Sequence, residues 1–378
     1  MSESDSPIEF IFCQFALRNS EKTSGRIKSS DLNRFMPEIK KQIPLLNSDG
    51  TITQEGWARS PYWTYNRENI AASKLRIKEW DYYSVLSPSK EYGITFTASD
   101  LGYAGLFAIC YLDFKKGIFK QIDTLSVMPL GKTGFPRVNE SGVVSFEDKK
   151  LSLRFETIHG KRTLEFGSKD FVAPDGSRGI QGKIELTEPK MDTMNIATSW
   201  KENRKAFYYN TKINCMPATG NVFVGNQTLT FDSKTDFGAL DWGRGVWTYK
   251  NRWYWSSVSA WIDGKPFGLN LGYGFSDRTP ASENVILYDG KIHKLDEVNF
   301  IINTKDYMAP WKFISNNNRL DLDFQPIVDR NSYMNFILIK SVQHQVFGKF
   351  NGTVVLDDGK KIKLENVLGF AEDVLNHY

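Results

Sequence analysis

From residue 43 onward, apolar and polar positions alternate with a period of two in short runs broken by Gly, Asn, Asp and Pro. That alternation marks strands with one face buried and one face wet. YGITFTASD at 92–100 and YAGLFAICYLDF at 103–114 predict neighbouring strands, and VVSFED, LSLRFET, RTLEFGS and GKIELTE follow between 143 and 188. A turn-rich stretch at 189–195 interrupts the series. FYYNTKINC, NVFVG, QTLTF, NRWYWSSVSAW, FGLNLGYGF, NVILYDG, LDLDF, FILIKSVQHQVFG and GTVVLDDGKKIKL then resume it. Many short strands at regular spacing, without α/β alternation, predict antiparallel barrels or sandwiches. At 378 residues the chain is long for one core and suits two domains. The pattern therefore predicts a mostly-β protein: a polar N-terminal extension at 1–45, an N-terminal β-barrel domain at 46–195 and a C-terminal β-barrel domain at 196–378. Helix is expected only in short pieces, near 30–42 with Asp31 as N-cap and in the closing FAEDVLNHY at 370–378.

One hairpin can be drawn residue by residue. Asp263-Gly264 separates two strand-like runs and is a strong two-residue turn signal. With that turn, Ile262 faces Lys265, Ser259 faces Gly268, Ser257 faces Asn270, Trp255 faces Gly272 and Trp253 faces Gly274. One face then carries Trp, Ser and Asn opposite glycines, and the other carries Tyr254, Val258, Phe267, Leu269, Leu271 and Tyr273. A sheet charged on neither face is covered on both. Two readings of the Gly/Trp face stand side by side: indoles covering bare backbone, or room beside Ser257 and Asn270 for a ligand between indole walls.

Composition strengthens the β reading, since aromatic residues make up 14% of the chain and favour strands. The net charge of +4 is small and no basic block stands out, so no nucleic-acid partner is expected. Cys13, Cys110 and Cys215 are odd in number and far apart, which suits a reducing compartment rather than a disulfide framework. The opening MSESDSPIEFIFCQF lacks the charge and apolar core of a secretory signal, and no window reaches 18 uncharged apolar residues. A cytoplasmic location with no integral membrane segment is the expectation.

Most catalytic signatures fail. No G-x-S-x-G elbow is present, GKTG at 131–134 lacks the earlier glycine of a P-loop, and GYGFSD at 272–277 lacks the third glycine of a dinucleotide fingerprint. The four histidines, His159, His293, His344 and His377, show no ligand spacing, so neither metal nor cofactor is expected. Strand alternation places His344 with Leu338, Val342 and Val346, as a core histidine or as a general base. The run LDWGRGVW at 240–247 is the densest mixture of chemical types. Its two glycines imply a bend or bulge. Asp241 and Arg244 would either form an ion pair pinning that bulge, or Asp241 would be a desolvated acid among aromatic rings. Glu283 and Asn284, in RTPASENVILY, form a second candidate polar pair.

LDWGRGVW, WYWSSVSAW…FGLNLGYGF, SENVILYDG, YMAPWKF, QHQVFGKFNGTVVLDDG and LGFAED, in this order, resemble domain-of-unknown-function family 2804. The resemblance is close over 214–378 and looser over 46–195, where GWARSP and LGYAG carry it. The family looks like the two-domain lipocalin-like proteins that include carotenoid hydratases, tocopherol cyclases and fungal Diels–Alder cyclases, an analogy of fold. Asp241-Trp242-Gly243 is similar to an Asp followed by Trp-Gly in that group, without the polar residue between Asp and Trp of the hydratases. The implied function is acid-initiated hydration, cyclisation or isomerisation of a hydrophobic small molecule. Asp241 would be the acid, His344 a relay, and Arg244 the partner of Asp241. Trp247, Trp253, Trp255, Trp261, Ser257, Asn270, Glu283 and Asn284 would line the ligand, with ring faces stabilising positive charge. Two further readings are a carrier of lipids or hydrophobic metabolites without turnover, and a carbohydrate-binding β-sandwich with exposed aromatic platforms.

Overall fold

The computed structural model describes residues 36–336 and 339–377. Cys13, Asp31 and Leu338 lie outside the described residues, as does most of the helix expected near 30–42. Its remainder is not helical: Glu38 makes a parallel bridge to Trp57.

Two large antiparallel sheets follow one another along the chain, each curled on itself. The first has thirteen strands. Its central path runs Ile118–Val127, Ala104–Asp113, Tyr92–Asp100, Ile77–Ser87, Phe237–Val246, Phe207–Val224, Arg178–Thr187, Lys161–Val172, Ser152–Ile158 and Gly142–Glu147. The second has nine strands, with Lys250–Ile262 beside Lys361–His377 at its middle. The turn-rich stretch at 189–195 lies within the run of first-sheet strands, and the changeover between sheets falls between Val246 and Lys250.

The closing segment is a strand, not the expected helix. Lys361–His377 pairs with Lys250–Ile262 on one side and with Ile339–Val355 on the other. Two ladders of backbone hydrogen bonds outweigh the helical propensity of a short Ala/Glu/Leu run. Among the described residues, helix is confined to a single 3-10 turn, Arg67–Asn69.

The hairpin register matches the one drawn from Asp263-Gly264 across Ile262–Lys265, Ser259–Gly268, Ser257–Asn270 and Trp255–Gly272. Asp263 and Gly264 have φ of 52° and 70°, the positive values of a type I′ turn. The strand ends at Tyr273, before the expected Trp253–Gly274 pair.

Each sheet encloses an aromatic core. Phe96, Phe155, Phe166 and Tyr83 fill the first, and Phe300, Trp311, Phe313, Phe324 and Phe350 fill the second. Between the sheets runs a third layer: Tyr82 meets Trp255 and Phe370 edge-on, at 5.8 and 6.2 Å between centroids, and Phe114 meets Phe347 at 5.8 Å. Such ring pairs contribute about 0.5–1.5 kcal/mol each beyond their buried area. One device pins this seam. The strand Phe207–Val224 breaks register between Ile213 and Met216, with Cys215 at φ 58°. The break turns Asn214 toward the second sheet, where its Nδ2 donates to Ser257 Oγ at 2.9 Å and to the Val258 carbonyl at 3.1 Å. No helix among the described residues is long and apolar enough to cross a membrane.

Candidate functional site

Every residue of Phe237–Val246 is buried, because this strand sits mid-sheet with the first core on one face and the seam on the other. Alternation sends Leu240, Trp242 and Arg244 into the first core and Asp241 toward the seam. Asp241 and Arg244, three residues apart, therefore point in opposite directions, and the ion pair expected between them does not form. Arg244, fully buried, donates instead to Asp81 at 3.0 Å and to the carbonyls of Trp80, Gly243 and Pro136, with its guanidinium 3.9 Å over the Trp242 ring. No bulge occurs at the two glycines; pairing with Ile77–Ser87 is continuous. Gly243 instead leaves room for an indole: a Cβ there would lie 2.0 Å from Trp80.

The seam face of Asp241 holds the densest polar cluster. Its cross-strand partner is Lys212, so both side chains share a face. Lys212 Nζ lies 2.9 Å from Asp241 Oδ2 and 4.0 Å from the ring centroid of Trp255, while Asn210 Nδ2 donates to Asp241 Oδ1. The second sheet supplies the rest. Trp255 Nε1 donates to Asn270 Oδ1 at 2.7 Å, and Asn270 Nδ2 donates to the Glu283 carbonyl at 2.9 Å. Tyr208 O–H donates to Glu283 Oε2 at 3.1 Å. Trp253 Nε1 donates to Glu372 Oε1 at 2.9 Å, and Gln345 Nε2 to Glu372 Oε2 at 3.2 Å.

Three buried carboxyl groups, those of Asp241, Glu283 and Glu372, thus face one central ammonium. Burial pushes the Glu372 carboxyl up to about 7, against the Trp253 N–H and the Lys212 charge, and the Asp241 charge pushes the same way as burial. Burial raises Glu283 as well, opposed by Lys212 and reinforced by Asp241. Burial, then the charges of Glu283 and Asp241, hold the Tyr208 hydroxyl well above its ordinary value. Like charges crowded into low dielectric share protons rather than all ionise. Burial thus favours the protonated forms of Glu372 and Glu283, and the rim of the cluster at Trp253 is only half-buried.

The other residues named from sequence are distributed as follows. Trp247 is buried among Trp80, Trp200, Tyr208, Trp253 and Phe275, each 5.4–5.8 Å away between centroids. Asn284 Oδ1 accepts from the Gly272 N–H at 2.8 Å. Trp261 is 46% exposed and lies against Phe237. Ser257 is taken up by Asn214. The room above the hairpin glycines is filled by protein: by the Glu283 carboxylate at Gly272 and by Asn214 at Gly268.

His344 is elsewhere. It pairs across strands with Asp373, whereas its neighbour Gln345 pairs with Glu372 and reaches the seam. The imidazole lies on the opposite face, Nδ1 2.8 Å from Asp329 Oδ2 and its ring stacked 3.7 Å from that of Tyr307. The thickness of the second sheet separates it from Asp241, so a relay between the two has no path. The apolar surroundings expected for it are partly replaced by this Asp–His–Tyr group.

Lys212, Tyr208 and Glu372 were not picked out from sequence. Lys212 did leave a signal, as the single charge in the ten residues FYYNTKINCM. Glu372 was hidden by the helical reading of its segment. No grouping of His, Cys, Asp and Glu among the described residues could hold a metal ion.

A search of curated proteins finds no match to the chain. Among solved structures, a Nitrosomonas europaea protein described as an AttH is similar at TM-score 0.50 and 11% identity, over 82% of this chain and 95% of that one. CghA is similar at 0.47 and 13%, over 79% and 88%, and kievitone hydratase from Nectria haematococca at 0.47 and 13%, over 90% and 98%. The likeness to the AttH structure shows a shared fold. Residues 36–378 match the model of a domain of unknown function, DUF2804, and the chain belongs to that family.

Proposed function

We propose that the protein is an enzyme that moves a proton to and from a hydrophobic small molecule held against the half-buried indole of Trp253 at the rim of the seam, in a hydration, cyclisation or isomerisation. The observation that carries this reading is the set of three buried carboxyl groups around Lys212, beside Trp253 and Trp255. An acid is most effective when its pKa lies near working pH, and burial brings Glu372 there. Glu372 gives the proton to a substrate double bond. The cation that forms lies against the half-buried Trp253 at the rim. Asp241, paired with Lys212, takes a proton back, or water entering at the rim adds to the cation and passes its proton to the ionised Glu372.

The test uses the small-molecule extract of the protein's own host, incubated with purified protein in D2O and followed by mass spectrometry. Enzyme-dependent deuterium gain in one compound, falling by about 10²–10⁴-fold in Glu372→Gln, is the expected result. A lipophile that co-purifies and is released unchanged by both proteins, with no deuterium gain in any compound, supports the carrier reading and overturns this one.

A further inference from the structure

Exposed apolar side chains are ordinary singly and informative when gathered. Among the described residues, Leu75, Leu125, Val127, Tyr249, Tyr333 and Met334 are exposed, Val127 to 86% and Tyr333 to 68%. Pairing registers bring them to one end of the molecule. In the first sheet Val246 faces Ile77, Glu79 faces Asp100, Asp100 faces Gly105 and Ala104 faces Val127. Leu75, Leu125 and Val127 therefore finish where Phe237–Val246 finishes. Four residues later the second sheet begins at Lys250, which pairs with His377, and His377 pairs in turn with Lys340. Tyr333 and Met334 face Val342 and Ser341 in the same hairpin. The two sheets are tied at this end, since Arg76 donates to the Trp247 carbonyl and the ring of Tyr249 lies 5.9 Å from that of His377.

Exposed charge at this end is mainly basic. Lys74, Arg76, Lys250 and Lys340 stand beside the apolar side chains or one strand away. Of the carboxylates near them, Asp123 lies two residues from Leu125, Asp148 is engaged by Thr124 Oγ1 at 2.7 Å, and Glu79 and Asp100 are buried. We propose that this end docks on an anionic lipid bilayer, the apolar tips entering the headgroup boundary and the cations meeting lipid phosphates. A second copy of the chain is disfavoured as occupant, because a two-fold contact would set these cations against their own images. A nucleic acid would use the cations but leave the apolar tips unburied.

The experiment is sedimentation of the full chain with vesicles of phosphatidylcholine alone, or with roughly 30% phosphatidylserine added to supply the surface potential. The expected result is binding to the anionic vesicles only, lost in high salt. Leu125→Ser with Val127→Ser, and separately Lys250→Glu with Lys340→Glu, should each weaken it by about tenfold or more while leaving the circular dichroism unchanged. Absence of binding to the anionic vesicles, or binding that both variants retain, overturns the proposal. So does a concentration-dependent dimer that the same variants abolish. None of these outcomes depends on the chemistry proposed for the seam.

Discussion

A Cβ built on Gly272 would lie 1.6 Å from Oε1 of Glu283, so the carboxylate occupies the room that the absent side chain leaves. The glycine's φ is not in the positive range, and alanine would be allowed by the backbone there. The clash alone decides the outcome. Gly272→Ala is expected to destabilise the fold by about 1–3 kcal/mol, the usual cost of overpacking, read as a lower urea midpoint. Gly268, on the same face, is a control at which alanine should cost less, since its nearest neighbour would be Asn214 Cβ at 3.0 Å.

Lys212 and Asp241 form a buried pair, with side chains 5% and 11% exposed. Removing one partner strands the other charge. Lys212→Met should therefore cost about 3–5 kcal/mol, and adding Asp241→Leu to it should recover much of the loss. A double-mutant cycle by urea denaturation measures this; additive losses would show that the two side chains do not act as a pair.

Stability should also depend on pH through Glu372. Its ordinary value is 4.5 and the folded value is about 7, so the folded state binds this proton more tightly than the unfolded state. Its contribution to stability is full below pH 4.5, declines as pH rises and is lost above pH 7. The change across that window is roughly 3 kcal/mol. Glu372→Gln, which cannot ionise, should flatten this part of the profile. Denaturation midpoints of both proteins between pH 4 and 9 (roughly, the span that brackets this linkage) check it.

Arg244 bridges Asp81 and three backbone carbonyls from inside the first core. A lysine cannot span that fork of acceptors. Arg244→Lys is expected to cost about 2–4 kcal/mol through carbonyls left without donors. Hydrogen exchange should quicken in the loop around Pro136, whose carbonyl accepts from Arg244.

Local pattern carried the fold a long way. Period-two runs located strands such as Tyr92–Asp100 to the residue, and Asp263-Gly264 set a hairpin register that holds across nine residues on each side. Both depend on neighbours in sequence, which is why they were legible. The site was legible only by half. Asp241, Glu283, Trp253 and Trp255 were named, but their partners come from strands far away in the chain. Alternation says that Lys212 lies on a given face, not that a second sheet covers that face. Glu372 was missed for a related reason: FAEDVLNHY has a helix former's composition, and only two flanking strands hold it extended. The expected pairing of Asp241 with Arg244 failed on parity alone, since an odd spacing in a strand separates the two side chains.

The seam cluster also has an order of arrival. Lys212 and Asp241 leave the ribosome first, Glu283 later, and Glu372 more than a hundred residues after Asp241. Until the strand Lys361–His377 slots between its two neighbours, Lys250–Ile262 lacks a partner on that side, and the cover that its Trp255 gives the Lys–Asp pair is not locked in place. The seam is therefore completed by the last strand of the chain. Quality control in the cell would read this same layer, so variants that weaken the seam should lower abundance before they alter chemistry.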